Sequence, residues 1–282
     1  MEYLTEAISC PCCHVQERHT VWARENGYTA VKCLECGLVY VNPRPCSSMI
    51  DDAVKTGVHR ELDHGRTAIV RRSGRNIKIY RKHLAAMFRD MWASGGPISW
   101  LDVGAGYGEF LEAVTSLAPA GSRIRGIEPM KPKADACRQR GLAIEEAYLT
   151  DVNEEYDVVS LMNVFSHIPN FYEFLENVKR VLRNGGEFFI ETGNIGDLES
   201  VRDVPTELDL PDHLVFAGEE NMRTFLRSAG FAVIDIRRRR KDTVENALKN
   251  CVKKMLGRQV TLALPYSSPY RSLLIRARLE SR

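Results

Sequence analysis

At 282 residues, with 44% of them apolar, the chain has material for one large α/β domain plus a small appendage, and a soluble globular protein is expected. A net charge of +2 excludes nucleic-acid binding by bulk electrostatics. The opening residues MEYLTEAISC carry acids and no apolar run, and nowhere do about 18 apolar residues follow one another, so no signal peptide or membrane partner is expected and a cytoplasmic setting is.

Cysteines dominate the start of the chain, with six of the eight before residue 47. In a reducing compartment such clustering points to a metal or thiolate role. Cys10 and Cys13 form one CxxC, Cys33 and Cys36 a second, and 19 residues separate them. That is the spacing of two knuckles, each presenting two thiolates to one side of a tetrahedral ion. Between them, HTVWARENGYTAVKC has strand-like runs around an Asn26-Gly27 turn, as a zinc ribbon needs. Four thiolates leave the ion no open position, so the expected Zn2+ is structural, against the alternative of four unpaired buried cysteines. Cys12 and Cys46 fall outside the pattern and read as bystanders, Cys12 close enough to exchange with Cys13. Two prolines in VYVNPRPC close this module, over residues 1–46.

Residues 47–95 form a charged connector in which Ile77, Tyr80, Leu84, Met87, Phe88 and Met91 recur at helical spacing. The third unit, 96–282, alternates short apolar runs with helix-period segments. ISWLDV, RIRGIEP, LAIEEA, YDVVSLMNV, GEFFIET and FAVIDIR read as strands. Helices are predicted through Phe110–Leu117, Ala134–Arg140, Phe174–Leu182 and Glu219–Ala229, and an amphipathic helix over Thr243–Leu256 precedes a last strand, SLLIRARL. Such βαβ alternation implies a mostly parallel sheet with helices on both faces. The run RRRRK at 237–241 reads as a solvated strand end, with a phosphate or nucleic-acid contact as the alternative.

Where the first of these strands turns into a helix, the chain reads LDVGAGYGEF. Gly104, Gly106 and Gly108 let backbone amides approach a ligand, and Glu128, 22 residues after Gly106, ends the next strand where an acid can accept from both hydroxyls of a ribose. A dinucleotide fingerprint would carry a third glycine at the position of Glu109, whose carboxylate would repel a pyrophosphate. A sulfonium amino-acid ligand has no phosphate, and Asp102 adds an acid that can hold its ammonium group directly or through water.

These motifs resemble the class I S-adenosylmethionine-dependent methyltransferases, whose first motif is similar to LDVGAGYG and whose second strand ends in an acid, as in GIEPM. YDVVSLMNVFSHI and NGGEFFIET resemble the family's fourth and fifth strands, and SLLIRARL its final antiparallel strand. The resemblance implies a Rossmann-like, mostly parallel seven-stranded sheet and S-adenosylmethionine as cofactor, held by Asp102, Gly104, Gly106, Gly108, Glu128 and Asn163. With the four-cysteine module it implies the subfamily bearing an N-terminal zinc site, several of whose members methylate nucleotide-linked sugars or other natural-product intermediates.

Of seven histidines, His14 and His19 belong to the cysteine module and His59, His64 and His83 to the connector. His167 and His213 follow the fourth and fifth strands, at the edge where such sheets bind ligands. In the sugar C-methyltransferases of the subfamily, the segment between the fifth strand and the following helix reads tyrosine, histidine, glutamate, histidine. Here the aligned residues are Leu210, Pro211, Asp212 and His213. Loss of the tyrosine favours transfer to a hydroxyl over transfer to carbon, with His213 as base, against the alternative of a histidine that caps the next helix. His167 and Asp212 are expected in the substrate pocket. A small-molecule acceptor is therefore expected. C- or N-methylation, RNA methylation and a non-catalytic scaffold are the alternatives, the RNA reading opposed by MNVFSH in place of an Asn-Pro-Pro-Tyr type motif.

Overall fold

The computed structural model describes residues 5–58, 74–205, 207–240, 242, 244–255 and 265–280. His59, His64, and the ends Thr243 and Leu256 of the expected last helix lie outside the described residues.

The cysteine module contains β1 (Thr5–Glu6), β2 (His19–Glu25), β3 (Tyr28–Cys33), β4 (Val39–Val41) and β5 (Arg44–Pro45). β2 and β3 make the expected hairpin. Its turn residues Asn26 and Gly27 have φ of 52° and 80°, the left-handed pair that a two-residue turn matched to strand twist requires. Helices α1 (Ser47–Thr56), α2 (Gly74–Met87) and α3 (Arg89–Ser94) follow.

The large unit runs β6 (Ser99–Val103), α4 (Glu109–Thr115), β7 (Arg123–Ile127), α5 (Lys131–Arg138), β8 (Ile144–Glu145), β9 (Tyr156–Met162), α6 (Phe171–Arg180) and β10 (Leu182–Gly193). It continues through β11 (Val215–Phe216), α7 (Glu219–Ser228), β12 (Phe231–Arg239), α8 (Val244–Met255) and β13 (Ser272–Leu279). Seven of these strands form one sheet in the order β12-β13-β10-β9-β6-β7-β8. The run from β10 to β8 is parallel, and β13 is antiparallel to both β10 and β12. This is the Rossmann-like class I arrangement that the sequence implies.

Helices cover both faces because their apolar stripes have matching surfaces to bury. On one face Leu84, Met87 and Phe88 of the connector pack with Trp100, Phe110 and Phe189. On the other, Leu175, Val178, Met222 and Phe225 pack with Phe188 and Ile190. Full burial of each large apolar side chain contributes about 1.5–3 kcal/mol. Arg276 of β13 reaches across the first face, 2.6 Å from Glu187 and 2.7 Å from Asp90, and so fastens α3 to the sheet.

β11 does not join the large sheet. It pairs antiparallel with β4, Val215 opposite Tyr40 and Phe216 opposite Val39, and completes a four-stranded sheet ordered β11-β4-β3-β2. The cysteine module also rests on α6 and α7. The Tyr172 hydroxyl donates to the Cys12 carbonyl at 2.9 Å, and Asn221 Nδ2 donates to the Cys36 carbonyl at 2.7 Å. The segment between β10 and α7, which carries His213, is thus sewn to the N-terminal module. Among the described residues no helix is long and apolar enough to cross a membrane.

Candidate active site

The parallel strands bring their carboxyl ends to one edge, and two groups of residues collect there. The first lies at the turn after β6. Gly104 has φ of 68°, and a Cβ on it would stand 2.7 Å from Val164 Cγ2, so only glycine fits. At Gly106, with φ of 55°, a Cβ would meet nothing within 4 Å, which leaves open space beside the backbone. Gly108 is the residue before α4, which begins at Glu109.

Glu128 follows β7 directly and is buried. Its carboxylate accepts from the Gly106 amide at 2.8 Å and from the Met130 amide at 3.0 Å. One acid therefore ties the glycine turn to the end of the second strand of the unit. An ionised carboxylate has about four acceptor positions, so after these two amides about two remain, the number that the two hydroxyls of a ribose need. The Tyr148 hydroxyl is buried and without a hydrogen-bond partner, and burial, then the charges of Asp51, Asp151 and Glu128, push it above its ordinary value. Asn163 follows β9 with φ of 58°, and its amide donates to the Glu191 carbonyl at 2.9 Å. The residues present fit a nucleoside held by its ribose.

Asp102 is placed differently from the contact expected of it. It is buried to 1% exposure and turned into the sheet, where Oδ1 accepts from the Ser160 hydroxyl at 2.6 Å. Burial, opposed by that hydrogen bond and reinforced by the charge of Glu128, pushes its carboxyl up to about 7. Its hydrogen bond joins β6 to β9 just before the glycine turn.

The second group is His167, Asp212 and His213. His167 follows β9, His213 precedes β11, and their ring centroids are 4.7 Å apart. His167 Nδ1 lies 2.8 Å from the Asp212 carbonyl oxygen, and His213 Nδ1 lies 2.7 Å from the Leu208 carbonyl oxygen. A carbonyl only accepts, so both Nδ1 atoms carry hydrogen, and a neutral ring held this way keeps its lone pair on Nε2. Burial, then the neighbouring His167, push the His213 imidazole below its ordinary value, against the opposing charge of Asp212. It is therefore uncharged at neutral pH. The backbone is held as well, Leu214 N–H donating to the Ser166 carbonyl at 2.7 Å. His213 does not cap α7, whose cap residue is Gly218.

The cysteine cluster forms a third site. Cys10 Sγ and Cys36 Sγ are 3.5 Å apart, Cys13 Sγ and Cys33 Sγ 3.6 Å, and all four sulfurs lie within 4.8 Å of one another. A regular zinc tetrathiolate has sulfurs about 3.8 Å apart, from a Zn–S bond of about 2.3 Å, whereas a disulfide needs about 2.05 Å. The donor set fits a zinc ion. Hydrogen bonding with Cys36 and burial push the Cys10 thiol up, and burial pushes Cys13 up to about 11, so these thiols hold their protons unless a cation displaces them. Cys12 is buried behind the cluster.

Two features depart from the sequence reading. The basic run does end β12 with partly exposed side chains, but its described arginines are ion-paired and not merely solvated: Arg237 pairs with Asp235, Arg238 with Glu219, Arg239 with buried Glu191 at 2.9 Å, and Arg240 with Asp242, while Lys241 lies outside the described residues. Each partner is an acid distant or adjacent in ways that a charge count does not register. The sequence reading also missed Glu25, Asn26 and Tyr148. The Asn-Gly turn marks where the hairpin reverses, yet nothing local tells what its tip touches.

A family model described as a methyltransferase domain matches residues 74–236, more than half of the chain. The C-methyltransferase NovU of Streptomyces niveus is 26% identical over 125 residues, 42% of this chain and 29% of that protein. The ubiquinone biosynthesis O-methyltransferase of Aeromonas salmonicida (strain A449) is 29% identical over 104 residues, 33% of this chain and 42% of that protein. The chain spans less than half the length of the curated relatives it matches. Among solved structures, a protein of Galdieria sulphuraria described as a sarcosine dimethylglycine methyltransferase shares the fold, at a TM-score of 0.52 and 17% identity, over 73% of this chain and 86% of that one. The family match takes in the glycine turn, Glu128, Asn163 and both histidines, and the chain belongs to the methyltransferase-domain family.

Proposed function

We propose that this chain transfers a methyl group from S-adenosylmethionine to a hydroxyl of a small molecule, a sugar or natural-product intermediate, with His213 as general base and a structural zinc on Cys10, Cys13, Cys33 and Cys36. The observation that carries the reading is the meeting of two half-sites at one sheet edge. The Glu128-held glycine turn has acceptor capacity for a ribose, and His213 is a neutral imidazole whose Nδ1 is already spent on a carbonyl.

S-adenosylmethionine supplies an electrophilic methyl on a positive sulfur. Glu128 holds the ribose, Gly104, Gly106 and Gly108 let the ligand approach the turn, and Asn163 borders it. Asp102, just before the turn, is held to β9 through Ser160. The cofactor would give its methyl to the acceptor oxygen and become S-adenosylhomocysteine, and His213 Nε2 would take the hydroxyl proton. His167 and Asp212 line the acceptor side. Holding the oxygen in line with the breaking bond supplies most of the rate, and the base adds about 10²–10⁴-fold.

Calorimetry with S-adenosylmethionine tests the first half, and an absence of binding removes the proposal. Methyl transfer from ¹³C-methyl-labelled cofactor to hydroxylated nucleotide sugars and catechols tests the second. His213→Ala is expected to lower turnover by about 10²-fold or more, and full turnover in that variant would remove the base. The similarity to NovU favours a second reading, methylation at carbon of a similar acceptor. The chemical shift of the transferred ¹³C separates an O-methyl from a C-methyl product.

A further inference from the structure

Glu25 and Asn26, at the tip of the β2–β3 hairpin, lie far in sequence from His213, yet both reach the segment that holds it. Glu25 Oε2 accepts from the Leu208 amide at 2.9 Å, and Oε1 accepts from the Leu210 amide at 3.2 Å. Asn26 Nδ2 donates to the Leu210 carbonyl at 2.7 Å. Between the two clasped amides, Asp209 has φ of 59°, a left-handed conformation that residues with a Cβ hold only when their surroundings enforce it. Two carbonyls of this short stretch reach His213 directly. The Leu208 carbonyl takes the Nδ1 hydrogen at 2.7 Å, and the Asp209 carbonyl takes the backbone N–H at 3.1 Å.

We propose that Glu25, assisted by Asn26, is a positioning residue for His213: the hairpin tip of the cysteine module fixes the Leu208 carbonyl, and through it the tautomer and aim of the imidazole. The carboxylate is suited to this because a single planar group offers two oxygens to two amides that flank one residue. The Leu208 and Leu210 side chains pack against Val39, Val41 and Phe216, and such apolar contact is non-directional. The hydrogen bonds set its register. The module's contribution to the site is then directional. It presents His213 with its Nε2 lone pair available.

This inference rests on the reading of His213 as the base, and its test is independent of methyl transfer. Full-length, zinc-replete protein labelled with ¹⁵N-histidine reports the tautomer of each imidazole, with His213→Gln used to assign the signal. The parent is expected to show His213 with hydrogen on Nδ1. In Glu25→Ala the ratio of the Nδ1-H to the Nε2-H form is expected to fall by up to roughly 10-fold, the worth of one hydrogen bond. Glu25→Gln keeps one accepting oxygen and should fall between the two, and it carries the test alone if the alanine variant does not fold. Cofactor affinity by calorimetry should stay at the parental value in both. A Glu25 variant that folds and keeps the parental His213 tautomer ratio, whatever its melting temperature, overturns the proposal. Full turnover in His213→Ala would instead remove the base reading and leave the tautomer result standing.

Discussion

Replacing Asp102 with asparagine is expected to change the way stability depends on pH. Burial pushes the Asp102 carboxyl from 3.8 up to about 7. The native protein therefore holds a proton there that the unfolded chain gives up. A carboxyl raised on folding contributes stability that is fully present below its unfolded value and is lost as pH climbs to the folded one. A gap of about three pH units at 1.36 kcal/mol each makes the loss roughly 4 kcal/mol between about pH 4 and pH 7. Asparagine cannot ionise, and its Oδ1 can still accept from Ser160. Its amide hydrogens, if left without acceptors, cost about 1–3 kcal/mol at every pH, which displaces the curve without tilting it. Urea unfolding of the cofactor-free protein, repeated from about pH 4 to pH 8, reads the difference between parent and variant. That difference should grow in favour of Asp102→Asn by roughly 3–4 kcal/mol across the range. Parallel curves would refute the argument, because they would mean that Asp102 ionises in the folded state as it does in the unfolded one.

Two further outcomes follow from the same geometry. Glu128→Ala removes a charged acceptor worth about 1.5–3 kcal/mol per hydrogen bond, so calorimetry should find S-adenosylmethionine bound at least about 10-fold more weakly, and parental affinity would remove the ribose assignment. Elemental analysis should find one zinc per chain, and a strong chelator should lower the melting temperature by unlocking the ribbon. Protein that carries no zinc when purified without chelator, yet melts as the Cys33→Ser variant does, would overturn the metal assignment.

What was legible in the sequence is what depends on neighbours along the chain. The alternation of β-type runs and helical spacing located the large sheet because each strand and helix buries a face defined within its own residues, and SLLIRARL became β13 without a shift. The cysteine spacing was equally readable, since two tight knuckles and an Asn-Gly turn are local devices. Glu128 could be picked out because its distance from Gly106 is set by one βαβ unit. Asp102 could be located but not oriented: its turn toward Ser160 is decided by the strand beside it. Glu25 could not be picked out at all. A carboxylate at the end of an exposed hairpin looks like any solvated acid until the Leu208 and Leu210 amides are brought to it. The two-residue β11 carries no periodic signal of its own, and its membership of the ribbon sheet is settled by β4.

The two halves of the site therefore differ in how they are built, and that difference has a consequence for their independence. The proposed cofactor side is assembled from the turn after β6, Glu128, Tyr148 and Asn163, whose hydrogen bonds run between consecutive βα units, with Lys55 of α1 over the Tyr148 ring. The proposed acceptor side draws on three stretches: the hairpin tip, the Ser166–His167 turn and the segment ending in β11. Loosening the ribbon should then disorder the second side while the first keeps its shape, because Glu128 is hydrogen-bonded to Gly106 and Met130 and Asp102 to Ser160, all of them outside the cysteine module. The chelator experiment reports on this directly when affinity is measured together with melting. S-adenosylmethionine should bind the zinc-depleted protein as tightly as the parent at a temperature where the large domain remains folded, while the His213 imidazole loses its single tautomer. Loss of both together would mean that the halves fold as one cooperative unit, and that the ribbon supports the glycine turn as much as it supports His213.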